Sequence, residues 1–321
     1  MRKHSILTIT LLLLIVLTTS CASIKKTEQT KELMGTIVTI TVYNEDKQSA
    51  ENAIEEAFNE IKRIENILSS YINTSEVYLL NKNKKIDQAS NELIYVIGKS
   101  LRYGDLSYGA FDITVQPILD LYTRTFKELN RPPTDNEIKE TQRLVNYGQI
   151  LIKNKYAELK PNMKITLGGI AKGYIIDKAI EVLKNNNITH ALVNAGGDMR
   201  AIGNKGEDNW QIALQNPRDK KDLITTIQLN NNAVATSGDY ERYFDDTKKF
   251  HHIVDPRTGY SATELISVTI ITDKAIDADA LATSVFVLGK VKGLELIESL
   301  KDTEGLIITS EKEIVKSSGF D

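Results

Sequence analysis

Residues 34–68 constrain this chain most. Ile37, Thr39 and Thr41 alternate with Val38, Ile40 and Val42 in the segment Met34–Tyr43, the period-two pattern of a half-buried strand. From Gln48 to Leu68 the period changes, and Ala50, Ile54, Ala57, Phe58, Ile61, Ile64 and Leu68 form the apolar stripe of a helix. A strand with one buried face and a helix with one apolar stripe each need a layer to pack on, so a compact body of strands and helices is expected. Further helices are predicted over Glu92–Tyr103, from the capping box Thr134-Asp135-Asn136-Glu137 to Val145, over Ile170–Lys184 and over Ala278–Leu288. Short strands are expected between Gln149 and Thr166, then at Ala191–Asn194, Gln211–Gln215, Thr225–Leu229 and Ser267–Thr272. Strands and helices mix without strict alternation, and no repeat or Pro/Gly/Ser-rich linker divides the chain. The expected class is therefore α+β, a single two-lobed domain of mixed sheets and packed helices over residues 33–321.

The amino terminus reads differently. Arg2, Lys3 and His4 precede an apolar run from Ile6 to Leu17, which ends in Thr18-Thr19-Ser20-Cys21. Twelve helical residues span about 18 Å, short of the ~30 Å hydrocarbon core, so the run is the apolar region of a signal peptide over residues 1–20. The lone cysteine, Cys21, resembles the lipidated residue of a bacterial lipoprotein signal, although Thr18 stands where leucine is usual. An ordinary secretory signal with a chance thiol is the alternative. Residues 21–32 are polar and lack periodicity, and are expected to be a tether.

Composition narrows the chemistry. A net charge of −3 without a basic run excludes a nucleic-acid partner of the usual kind. One Cys and 4 His leave no ordinary zinc site, so a metal must be held by oxygen. Gly98-Lys99-Ser100 lacks the earlier glycine of a P-loop, since Leu93 stands there, and no G-x-G-x-x-G or G-x-S-x-G occurs.

Three segments carry candidate chemistry. Leu167-Gly168-Gly169-Ile170-Ala171-Lys172-Gly173-Tyr174 puts two glycines before a helix and a lysine in its first turn, an arrangement suited to an anion such as a diphosphate. A tight turn with a solvated lysine is the plainer reading. In Asp277-Ala278-Asp279-Ala280-Leu281-Ala282-Thr283, Asp279 and Thr283 share a helix face, and Asp277 is the expected N-cap. A carboxylate and a hydroxyl so placed suit Mg²⁺, while two acidic residues that favour a helix start, with one buried threonine, are the alternative, and the Asp279 carboxylate is expected to be exposed. In Phe250–Gly259, strand alternation puts Phe250, His252 and Val254 on one face and His251 with Ile253 on the other, so only one histidine can face a site. Tyr108–Asp112, Ala195–Asp198 and Thr236–Asp239 add flexible turns that carry acids and hydroxyls.

In this order the segments resemble the ApbE family, the FAD:protein FMN transferases. The resemblance rests on Met34-Gly35-Thr36, Leu68–Tyr71 with Ser75-Glu76, Gly109–Asp112, Leu167–Gly173, Asn194–Asp198, Thr236–Gly238, His252–Gly259 and Asp279–Thr283. It implies that FAD is split at its diphosphate, that FMN passes through a phosphoester to a Thr or Ser of a target protein, and that AMP leaves. It further implies Mg²⁺ on the Gly169 carbonyl, Asp279 and Thr283. FAD contacts would come from Met34, Tyr71, Ala110, Phe111, Asp112, Thr166, Lys172 and Ile253, and His252 would move the proton. Many relatives carry Asp where this chain has Thr166, and a small residue other than glycine at 169. Lipoprotein members act outside the cytoplasmic membrane, so Cys21 implies a lipid anchor on that membrane's outer face. Arg257 is a further phosphate-clamp candidate, with a structural role in its turn as the alternative. A Mg²⁺-dependent FAD pyrophosphatase and a non-catalytic FAD-binding lipoprotein are the competing functions.

Overall fold

The computed structural model describes residues 24–320, with 207, 220 and 246–248 excepted. The proposed signal peptide and Cys21 lie outside the described residues. β1 (Lys25–Leu33) and β2 (Thr36–Asn44) form a hairpin that leads into α1 (Lys47–Leu68), whose stripe is buried as the spacing predicts. Next come α2 (Glu76–Asn83), β3 (Lys85–Ile86), α3 (Asn91–Leu106), α4 (Gln116–Leu129) and α5 (Asp135–Gln142), the last opened by the expected Thr134–Glu137 capping box. β4 (Leu151–Lys153) and β5 (Tyr156–Glu158) complete a small sheet with β3, before α6 (Ala171–Asn185). Then follow β6 (Ala191–Ala195), β7 (Asp198–Ile202), β8 (Trp210–Gln215), β9 (Leu223–Leu229), β10 (Ala233–Gly238) and β11 (Leu265–Thr272). α7 (Ala275–Leu288), α8 (Lys290–Glu298), β12 (Glu304–Thr309) and β13 (Ile314–Lys316) end the chain.

The main sheet runs β1-β2-β6-β7-β10-β11-β12-β13, and every pairing in it is antiparallel. Antiparallel pairing with helices gathered on one face is the α+β architecture expected above. Helices α1, α6 and α7 cover that face, and Ile40, Val193, Ile270 and Ile307 meet Phe58, Ile176 and Phe286 in the principal core. The other face is covered by the separate β8–β9 ribbon, through Trp210, Ile212 and Leu229 against Val234, Leu306 and Ile308. A third cluster gathers Tyr122, Ile138 and Val254 under α4 and α5.

The expected tether is corrected here. Lys25–Leu33 pairs with β2 along its whole length, so the folded body begins near Lys25 rather than at residue 33. An edge strand of the sequence KKTEQTKEL buries little beyond Thr27, and backbone hydrogen bonds hold it without an apolar period.

Candidate functional site

Two hairpin turns lie side by side at one end of the sheet. Met34-Gly35 joins β1 to β2 and Gly196-Gly197 joins β6 to β7; all four residues have positive φ, at 56°, 66°, 61° and 101°. Two-residue turns of this kind match the twist of antiparallel strands, which is why glycine recurs in them. Met34 is the exception, because a long side chain in the left-handed region is strained. Its N–H donates to Glu65 Oε1 of α1 at 2.9 Å, which fixes the turn against the helix.

The second turn delivers Asp198, and α6 and α7 deliver its neighbours. Lys172, in the first turn of α6, sits 3.0 Å from Asp198 Oδ2. Asp279 is only 6 % exposed and accepts from the Gly173 N–H at 3.0 Å. This corrects the expected exposed helix-start carboxylate, because α6 packs directly over the start of α7. One turn further along α7, Thr283 Oγ1 lies 3.2 Å from Ser237 Oγ of β10. A β-carbon placed on Gly169 would stand 2.9 Å from that same Thr283 oxygen, so the glycine turn and the late helix close on one point. Gly169 of the glycine turn and the Asp279–Thr283 pair of the late helix, more than a hundred residues apart in the chain, therefore lie together.

The electrostatics follow from burial. Desolvation, with Asp198 nearby, pushes the Asp279 carboxyl above the ordinary range, and Lys172 and the Gly173 N–H oppose the shift. Against the downward pull of burial, Asp198 and Asp279 hold the Lys172 ammonium above its usual value. Two buried carboxylates face one ammonium here, and a small hard cation with hydroxyl and carbonyl donors is the natural complement. Among the described residues no group of three or more His, Cys, Asp and Glu side chains could hold a metal, so any cation would rest on mixed oxygen donors.

The expected N-cap of the late helix is corrected. Asp277 lies inside the first turn of α7 and accepts from Lys99 Nζ at 2.8 Å and the Tyr103 hydroxyl at 2.6 Å. The capping is done from another element. Asp177 of α6 accepts from the N–H groups of Ala275 at 3.0 Å and Ile276 at 3.1 Å, and pairs with Arg200 of β7 at 2.7 Å. Sequence reasoning passed over Asp177; its signal is an acid on the buried face that Gly173 and Ile180 define.

One cleft of about 1510 Å³ is bordered by Gly169, Lys172, Asp198, Asp279 and Thr283, by His252, and by every residue that the resemblance gives as an FAD contact, whereas Asp277 and His251 do not border it. Tyr71 stands 85 % exposed at the rim, while Ala110 and Phe111 are buried in the wall. The Asp112 carboxylate accepts from the Thr114 N–H and hydroxyl at 2.7 and 2.6 Å and from the Tyr147 N–H at 3.0 Å, which pins its loop. Thr166 donates its N–H to the Ile113 carbonyl at 2.8 Å, joining that loop to the glycine turn.

The histidine segment forms only isolated bridges, Tyr243 with His251 and Val254 with Ser261, instead of the expected strand end. Strict alternation accordingly fails, and Ile253 borders the cleft together with His252. The separation of the two histidines holds. His251 is buried, its Nδ1 accepts from the Ile253 N–H, and its Nε2 lies 2.8 Å from the Ala262 carbonyl. His252 is half-buried on the cleft wall, with Nδ1 3.3 Å from the Arg242 carbonyl. That contact assigns the proton to Nδ1 and leaves Nε2 as the basic nitrogen. Burial, reinforced by the Arg242 charge, pushes His252 down to about 4, so the ring is neutral at pH 7. Arg257 is held in its turn by both oxygens of Asp255 and does not border the cleft, as the structural alternative expects.

Comparison with known proteins agrees with this geometry. Residues 34–307 match the ApbE family profile. The FAD:protein FMN transferase of Klebsiella pneumoniae is 30% identical over 296 residues, covering 89% of this chain and 90% of its own. That of Haemophilus influenzae is 32% identical over 274 residues, with 80% of this chain and 79% of its own covered. Among solved structures, the ApbE protein of Thermotoga maritima superposes with a TM-score of 0.83 at 35% identity, over 92% of this chain and 97% of its own. The flavin transferase ApbE of Vibrio cholerae gives 0.80 at 25% identity, over 92% and 98%. A family match over most of the body, with a shared fold, decides the assignment: the chain belongs to the ApbE family.

Proposed function

We propose that this protein transfers FMN from FAD to a Thr or Ser hydroxyl of a target protein and releases AMP. The observation that carries the reading is the juxtaposition of an anion-attracting helix start, two buried carboxylates and a neutral histidine along one cleft. At the α6 start the Ala171 N–H is taken by the Leu167 carbonyl and the Gly173 N–H by Asp279, so it is the Lys172 ammonium of that first turn that would meet the diphosphate of FAD. The Gly169 carbonyl, Asp279 and Thr283 would hold Mg²⁺, which when bound offsets the negative charge that develops on the diphosphate. His252 Nε2 takes the acceptor proton as the hydroxyl oxygen bonds to the FMN phosphorus and the bond to the bridging oxygen breaks. Tyr71, Met34 and the Ala110–Asp112 loop position the flavin nucleotide.

The test is incubation with FAD, Mg²⁺ and a candidate acceptor flavoprotein, with flavin followed by mass on the acceptor. Growth of free FMN without modified acceptor would establish the pyrophosphatase instead. His252→Ala should lower transfer by roughly 10²–10⁴-fold with FAD binding little changed. His251→Ala should act through stability, since that ring is packed against Phe286 and bonded on both nitrogens.

Lipid attachment at Cys21 and a place on the outer face of the bacterial cytoplasmic membrane belong to the same proposal. Their support is the order of charged, apolar and small residues before Cys21. Cys21→Ser should move the protein from the membrane fraction to the soluble fraction; retention on the membrane would refute the anchor.

A further inference from the structure

The cleft is larger than its nucleotide requires. Small-molecule sites occupy roughly 300–1,000 Å³, and about 1510 Å³ is open here. Part of the excess is bordered by residues 212–217, a run that contributes none of the FAD or metal candidates. Successive side chains of a strand point to opposite faces, so a consecutive run along one space presents its edge to that space. The burial of β8 agrees: Ile212 is turned to the core, and Gln211, Ala213 and Gln215 are exposed.

That edge is unpaired. β8 bonds to β9 on one side and, among the described residues, to no strand on the other. An unpaired edge is a template for another chain unless charge, proline or shortness blunts it. The main sheet blunts both of its own edges. β1 carries Lys25, Lys26, Glu28, Lys31 and Glu32, and β13 is three residues long. The β8 sequence WQIALQ has neither charge nor proline, and its one irregularity, between Leu214 and Gln215, falls at its end. β9 is also uncharged, but it reaches the cleft only through Leu223 and Ile224.

We propose that the free edge of β8 docks the target polypeptide, as an extended, uncharged segment that adds a third strand to the ribbon and carries the acceptor hydroxyl into the cleft. The inference rests on the transfer reading above. Backbone hydrogen bonds supply the affinity in such strand addition, and the side chains flanking the acceptor hydroxyl supply the selectivity.

The experiment uses the full chain with FAD, Mg²⁺ and the acceptor domain modified in the transfer assay. Ala213 is exposed and outside the proposed catalytic and nucleotide contacts, so Ala213→Pro and Ala213→Lys close the edge with little risk to the core. Both should raise the KM for the acceptor at least tenfold and leave FAD affinity, measured by calorimetry, unchanged. Thr226→Lys, on the paired position of β9, should leave that KM unchanged. Amide exchange over residues 211–217 should slow when the acceptor is added. An unchanged acceptor KM in both Ala213 variants, or protection over β9 or α4 instead of β8, overturns the proposal. If the wild-type chain modifies no acceptor, the transfer reading fails first and this inference falls with it.

Discussion

Replacing Gly173 by alanine tests whether the contact between α6 and α7 builds the site. A β-carbon at 173 would lie 2.1 Å from the Ala275 carbonyl oxygen, 2.5 Å from its carbon and 2.7 Å from the Ile276 nitrogen, all backbone atoms. Ordinary carbon contacts start near 3.4 Å, so the helices must separate by about 1 Å. That shift lengthens the Gly173–Asp279 bond of 3.0 Å and the Asp177 bonds of 3.0 and 3.1 Å to the start of α7. Overpacking costs about 1–3 kcal/mol and each weakened hydrogen bond up to ~1 kcal/mol, against about 1 kcal/mol gained in helix propensity. The expected net loss is about 2–4 kcal/mol, read as a lower urea midpoint at constant slope. Because Asp279 and Thr283 move with α7, transfer should fall by roughly 10²-fold in the protein that remains folded. A Gly173→Ala protein with wild-type midpoint and rate would refute the claim that this contact places the carboxylate.

Three further outcomes are expected. Met34→Asn relieves left-handed strain by about 1 kcal/mol and removes the thioether from the cleft, so stability should hold or rise while FAD affinity falls; unchanged affinity would remove Met34 from the nucleotide site. His252 is held at about 4 in the fold, below its unfolded value, so its contribution to stability is complete above pH ~6.5 and is lost as pH falls through about 4; His252→Ala should flatten that part of the pH–stability curve. Asp177→Asn leaves the buried Arg200 without its anion, and a loss of about 3–5 kcal/mol in denaturant unfolding is expected; a change below 1 kcal/mol would show that the pair does not tie α6 to β7.

The sequence disclosed elements wherever burial was one-sided. β2 and α1 bury a single face, so their periods survive in the residue order, and the capping box of α5 marks its own start. β1 was illegible because an edge strand held by backbone bonds carries charge in place of an apolar period. α4 was missed although Pro117 stands at its start, because its apolar residues face the aromatic cluster around Tyr122, which only the folded chain assembles. α7 is buried on nearly all sides, so its start could not be read from a stripe, and Asp277 was mistaken for its cap. The site was legible as separate segments: glycines before a helix, Asp279 with Thr283, and one histidine of two. The resemblance implies their joining, but the residue order does not show its means, which are Asp177 reaching α7 and the absence of a β-carbon at Gly173.

If this polar cluster drives FMN onto a protein, the acceptor gains the mass of one FMN. The most direct measurement is the intact mass of an acceptor flavoprotein after incubation with FAD and Mg²⁺, with wild type and Asp279→Ala compared at equal folded concentration. Wild type should add one FMN to the acceptor and Asp279→Ala none. An acceptor of unchanged mass beside accumulating free FMN, or full modification by Asp279→Ala, would contradict it.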